Sequence, residues 1–213
     1  MPKKLEFFYD CSSPWTYLAF TKIEDVATRH DANLIWRPIL VGGLFNTVNP
    51  SVYESRAKPV PVKAKYYVKD LRDWAKFYGI KIGSPTVFPV NSVKAMRGAF
   101  VADEHRVISR YSRRMFESYW TDDKDISQDD VLREIVNEVG LDEKEFFTKI
   151  GSDEYKAKLR DNVEELIARG GFGSPTIFVE GSMFFGNDRL PLVEHELAVG
   201  VGGALDQGSG GST

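Results

Sequence analysis

The stretch Asp10-Cys11-Ser12-Ser13-Pro14-Trp15 places a carboxylate, a thiol and two hydroxyls within one turn. The run before it, "KLEFFYDC", is apolar enough for a buried strand, and a helix pattern begins behind Pro14. Ser12 or Ser13 suits the N-cap, and Pro14 suits the first helical position. One hydroxyl then stands among free N–H groups, where the helix dipole favours negative charge. A thiolate is stabilised at such a place. Two readings stay open: the serine only caps the helix, or it also holds an anion. A dithiol redox turn needs a second cysteine, and the chain has one cysteine in 213 residues. Cys11 reads as a small buried apolar side chain; the alternative is a reactive thiolate.

Two later stretches carry further polar candidates. Ser174-Pro175 precedes a strand pattern. It is either an ordinary turn, or a cis-proline whose preceding residue offers its N–H and C=O to an extended ligand. In "FFGNDRL", Asn187 suits a turn and Asp188 suits an N-cap. The other reading has them converge on a ligand's ammonium and carboxylate groups. His30, His105 and His195 are scattered without ligand spacing, so no metal site is expected.

These residues need elements to hold them. After the first strand, Ala19, Ile23 and Val26 mark one helix face ending near His30, and "NLIWRPIL" is a second strand. That is a βαβ unit with a parallel pair. Residues 41–61, rich in Gly, Asn, Pro and Val, read as a long irregular loop. Helix faces follow at Tyr67, Leu71, Trp74 and Tyr78, stopped by Gly79, and at Ile108, Tyr111, Met115 and Tyr119. Ser127 with Asp130 reads as a capping box closed by Gly140, Asp142 with Glu145 opens a short helix, and Leu159, Val163 and Leu166 mark a last one. "SPTIFVEGSMFFGN" then reads as a hairpin turning at Glu180-Gly181, and Asp188 is expected to cap a final helix. The order βαβ, helices, ββα is that of an α/β thioredoxin-like fold with a large all-helical insertion. The expected division is 1–41 plus 172–205 for the thioredoxin-like part, 42–171 for the insert and 206–213 for a flexible tail. "GSPTVF" (83–88) and "GSPTIF" (173–178) nearly coincide, but only the second precedes a hairpin, so different roles are expected.

Composition sets the class. Hydrophobic residues at 42% and charged residues at 28% suit a globular domain with a real core. A net charge of −3 gives no pull toward nucleic acid. No run reaches membrane-spanning length, and a single cysteine agrees with a cytoplasmic setting.

Taken together, "FFYDCSSPWTYLAF", "WRPIL", "VKAKYYVKDLRDWAKFYG", "NSVKAMRGAF", "FGSPTIF" and "FFGNDRL" resemble 2-hydroxychromene-2-carboxylate isomerase and the kappa-class glutathione transferases, within the DsbA-like thioredoxin superfamily. The isomerase's Asp-x-x-Ser-Pro pattern falls on Asp10 to Pro14, which puts its key serine on Ser13. The resemblance implies glutathione as cofactor, with its thiolate held by Ser13. It implies main-chain pairing at Ser174 beside Pro175, a γ-glutamyl contact at Asn187 and Asp188, and contacts from Asn49 and Lys63. Those last two also read as solvated loop residues. The implied reaction is cis–trans isomerisation of a small molecule by reversible thiolate addition, in a homodimer. Conjugation of electrophiles is the alternative. A DsbA-like thiol oxidoreductase and a non-catalytic glutathione-binding protein are further readings.

Overall fold

The computed structural model describes residues 1–199. Strand β1 (Lys4–Tyr9) runs into α1 (Pro14–Arg29) and β2 (Asn33–Pro38). Eight helices follow: α2 (Val41–Val48), α3 (Ser51–Ala57), α4 (Pro61–Tyr78), α5 (Val93–Glu104), α6 (Ile108–Trp120), α7 (Asp129–Glu138), α8 (Glu143–Gly151) and α9 (Asp153–Ala168). Then come β3 (Thr176–Val179), β4 (Ser182–Phe185), a 3-10 turn (Asn187–Arg189) and α10 (Leu190–Val199).

The four strands form one sheet in the order β2-β1-β3-β4. β1 and β2 are parallel, with Phe7 opposite Trp36, and β3 lies antiparallel to β1, with Phe8 opposite Thr176. The β3–β4 hairpin turns at Glu180 and Gly181, both at positive φ, as the sequence predicts. β1 is buried on both faces, and its alternation divides the core. Leu5, Phe7 and Tyr9 join the large cluster with Phe20 and Ile23 of α1 and Phe116 of α6. Phe8 faces the other way, with Phe178, Ile39, Leu44 and Leu166. On that second face the carboxylate of Glu6 is held by Arg169 at 2.8 Å and Lys4 at 2.9 Å.

The helices between β2 and β3 pack through small residues. At Gly98 of α5 a Cβ would come within 2.2 Å of the Tyr111 hydroxyl and 2.5 Å of the Phe146 ring, so only glycine permits α6 and α8 to approach this closely.

Three local expectations change. Residues 41–61 are not an irregular loop: they hold α2, α3 and the entry to α4. "VGGLFNTV" has weak intrinsic helix preference. It is fixed because Leu44 is wholly buried and because Asp10, far upstream, accepts the Val41 N–H at 2.8 Å. Asp188 does not cap α10; it lies within the 3-10 turn and pairs with Arg189 at 2.7 Å. Ser127 does not cap α7 either, because Gln128 holds that position and Asp125 takes the Ser127 N–H. Gly79 and Gly140 do end their helices in the left-handed conformation, and Asp142 caps α8 through the Glu145 N–H. The tail 206–213 and residues 200–205 lie outside the described residues.

Candidate active site at the first helix N-terminus

Ser13 is the N-cap of α1: its Oγ accepts the Thr16 N–H at 3.3 Å. Pro14 brings no N–H, and the Trp15 N–H has no acceptor within the helix. The backbone of the turn is closed by Ser13 N–H donating to Asp10 C=O at 3.2 Å.

Asp10 is the hub beneath this turn. It is completely buried, and its carboxylate accepts the Ser12 N–H at 2.9 Å, the Val41 N–H at 2.8 Å and the Ser92 hydroxyl at 3.1 Å. Burial raises its pKa, while the hydrogen bonds from Ser12, Val41 and Ser92 pull it back. It thereby ties the Ser13 turn to the starts of α2 and α5.

The cis Ser174–Pro175 bond stands across from the turn. The Ser13 hydroxyl donates to the Ser174 carbonyl at 3.2 Å. The Ser174 hydroxyl accepts the Asp10 N–H at 3.1 Å and pairs with the Thr16 hydroxyl at 2.8 Å. Pro175 C=O in turn accepts the Gly186 N–H at 3.1 Å, which anchors the turn carrying Asn187 and Asp188. Asn187 is buried and its Nδ2 has no hydrogen-bond partner. The Tyr78 phenol lies beside Asn187 without forming a hydrogen bond to it, and Lys22 of α1 sits 4.9 Å over the Tyr78 ring. Asn187 is therefore placed beside Tyr78 of α4, where α4 meets α1.

The residues predicted as a site divide accordingly. Ser13, Ser174 and Pro175 converge directly, and Asn187 and Asp188 join them through Gly186. Asn49 reaches the same loop, its amide donating to Phe172 C=O at 3.2 Å. Lys63, on the first turn of α4, is exposed and makes no ion pair among the described residues. Cys11 is 1% exposed and points into the core, where burial pushes its thiol pKa well up. The expectation of a buried apolar role for it holds.

Sequence reasoning passed over Asp10 as a clamp, Thr16, and the pair in which Trp15 Nε1 donates to the Tyr67 hydroxyl at 2.6 Å. An acid placed between a strand and a serine-rich turn is the one signal that pointed to Asp10. Clefts of about 270 Å³ beside Tyr17 and about 670 Å³ along α4 are lined by none of Ser13, Ser174 and Asn187. Convergent polar groups, not cleft size, mark this turn. No group of three or more His, Cys, Asp or Glu side chains among the described residues is placed to hold a metal.

A helix N-terminus facing a cis-proline beside a four-stranded mixed sheet defines the thioredoxin-like class. Within it, the chain belongs to the DSBA-like thioredoxin domain family, whose model matches residues 4–198. It is 27% identical over 197 residues to 2-hydroxychromene-2-carboxylate isomerase of Sphingobium xenophagum, covering 92% of this chain and 99% of that protein. It is 26% identical to glutathione S-transferase kappa 1 of Rattus norvegicus, covering 92% of this chain and 91% of the relative. Among solved structures, a 2-hydroxychromene-2-carboxylate isomerase superposes with a TM-score of 0.76 at 23% identity, over 90% of this chain and 93% of the other. Among the described residues no helix is long and apolar enough to cross a membrane.

Proposed function

We propose that this chain is a glutathione-dependent cis–trans isomerase of the 2-hydroxychromene-2-carboxylate isomerase type, with Ser13 as the residue that holds the thiolate. The observation that carries this reading is a side-chain hydroxyl, not a thiol, at the N-cap of α1 opposite the cis-proline, while the chain's own cysteine is buried.

The residues present fit glutathione. The Asn187 Nδ2 is an orphaned buried donor suited to a carboxylate, and Asp188 beside it is exposed and suited to an ammonium. The Ser174 N–H has no protein acceptor among the described residues, so it is free for strand-like pairing with a cysteinyl backbone. The Ser13 hydroxyl, now on the Ser174 carbonyl, turns to donate to sulfur, and the Trp15 N–H and the helix dipole add to the same charge. Asn49 and Lys63 complete the reading as contacts from α2 and α4, Lys63 toward a carboxylate. Held there by Ser13, Ser174 and the turn at Asn187 and Asp188, glutathione would supply a thiolate for reversible addition to a conjugated double bond, which is the chemistry cis–trans isomerisation needs. Asp10 and Ser174 keep the Ser13 turn fixed while this happens. A small-molecule substrate, a homodimer and a cytoplasmic setting belong to the same reading. Its support is the family, the likeness to the isomerase and the convergence at Ser13.

The likeness to kappa 1 favours a second reading, in which the thiolate attacks an electrophile and stays attached. Parallel assays with 2-hydroxychromene-2-carboxylate and a chlorodinitrobenzene-type electrophile separate the two. In either assay Ser13→Ala is expected to lower kcat/KM by about 100-fold, the scale of losing one donor to a developing charge. Wild-type kinetics in a folded Ser13→Ala protein remove Ser13 from the reaction.

A further inference from the structure

The α2–α3 segment carries a cation that the proposed reaction has not used. Arg56, on the last turn of α3, lays its guanidinium 5.8 Å over the Phe45 ring of α2 and 5.4 Å over the Phe88 ring. It is exposed and makes no ion pair with an acid among the described residues. With no acid paired to it, its N–H edge is free, and such an edge matches a carboxylate with two parallel hydrogen bonds.

Its neighbours lead to the Ser13 turn from two sides. Phe88 lies 6.4 Å from the Trp120 ring, and Trp120 Nε1 donates to the Cys11 carbonyl at 2.9 Å. On the other side Tyr67 lies within reach of the Arg56 charge. The Tyr67 hydroxyl accepts from Trp15 Nε1 at 2.6 Å, with the two rings edge to face at 5.2 Å. Phe45 also meets Tyr53 edge to face at 6.3 Å. A free cation rimmed by Phe45, Tyr67 and Phe88 is therefore mounted beside the helix N-terminus. Asn187 and Asp188, by contrast, lie along α1 next to Tyr78.

We infer that Arg56 determines specificity for the second substrate, a planar conjugated acceptor bearing a carboxylate, by gripping that carboxylate with its free edge while the rings of Phe45, Tyr67 and Phe88 border the conjugated plane. The inference rests on the glutathione reading above for what happens to the acceptor, but not for its binding. Both substrate ends are then fixed by different parts of the chain: the thiol donor by α1 and the 186–188 turn, the acceptor by α3.

Binding is tested without turnover by titrating tryptophan fluorescence of the full chain with cinnamate and with cinnamamide. Arg56→Gln, which keeps much of the side-chain length and loses the charge, is expected to weaken cinnamate by about tenfold and leave cinnamamide within about twofold. Arg56→Lys is expected to recover part of the loss, and thermal melts of both variants to match wild type. Equal weakening of both probes, or cinnamate binding unchanged in Arg56→Gln, overturns the assignment. Calorimetric titration with glutathione should give the same affinity in wild type and Arg56→Gln; a tenfold fall there moves Arg56 to the glutathione site and also overturns it. Charge-selective binding of cinnamate with no glutathione-dependent turnover of any enone would uphold the Arg56 site while rejecting the isomerase reading.

Discussion

Residues 83–88 and 173–178 differ by a single methylene, Val87 against Ile177, yet they share almost nothing in structure. The first lies on the surface. Its Gly83 N–H donates to Trp120 C=O at 2.6 Å, Thr86 is fastened to Asp123 through its N–H and hydroxyl at 2.6 Å each, and Val87 C=O accepts the Tyr119 hydroxyl at 2.8 Å. The second is buried from Gly173 to Phe178, has its serine–proline bond cis, and continues as β3. Ile177 pairs with Phe7 of β1 and Phe178 with Glu6. Five shared residues therefore do not fix a conformation. The second copy meets an unfilled edge of β1 and the polar groups of the α1 turn. The first meets the end of α6 and has no strand to join. What makes Ser174 a candidate binding residue is its surroundings, Asp10, Ser13 and Thr16, and not its local sequence.

The hardest test of that contrast is to remove the same atom from both copies. Ser174→Ala strands two buried groups, the Asp10 N–H and the Thr16 hydroxyl. It should cost about 2–3 kcal/mol, seen as a fall in Tm of about 5–10 °C. Ser84→Ala, at an exposed position, should stay within about 0.5 kcal/mol. Equal melting shifts would mean that the two serines are not differently placed. A smaller effect comes from exchanging the one residue that differs. Ile177 is completely buried, so Ile177→Val should cost about 1 kcal/mol, while Val87→Ile at an exposed site should be nearly silent in chemical denaturation. Equal losses in the two variants would show that the copies are equally packed.

The contrast also explains what was legible beforehand. Strands, the Glu180-Gly181 hairpin, the Ser13 cap and the glycine stops at 79 and 140 depend on residues within a few positions, and their periods and turn chemistry announce them. α2 depends on Asp10 and on the packing of Leu44 with Phe8, Phe178 and Leu166 from β1, β3 and α9, so "VGGLFNTV" reads as loop until the fold is known. Ser174-Pro175 could be separated from Ser84-Pro85 only by the order of elements around it. Asp188 has the residue type of a cap but finds Arg189 instead. Arg56 gave no signal at all, because its surroundings come from three segments, at Phe45, Tyr67 and Phe88.

The subtlest consequence concerns how the first copy is held. Asp123 is kept below the ordinary aspartate value of 3.8 by the Thr86 hydroxyl first and the Thr86 N–H second. A carboxyl whose folded pKa lies below its unfolded value stabilises the fold above that unfolded value. The contribution disappears as pH falls through the folded pKa. Thr86→Val removes the hydroxyl but keeps the N–H, so the Asp123 pKa should rise part of the way to 3.8, read by side-chain NMR titration. Amide exchange in 83–88 should quicken in the variant at neutral pH, and the difference from wild type should fade in acid. The corresponding hydroxyl of Thr176 donates to Gly173 C=O at 2.8 Å, a partner that does not titrate. Thr176→Val should therefore leave the Asp123 titration unchanged. An Asp123 pKa indifferent to Thr86→Val would place the hold on the first copy at Gly83 and Trp120, in the backbone, and the threonines of the two copies would no longer distinguish them.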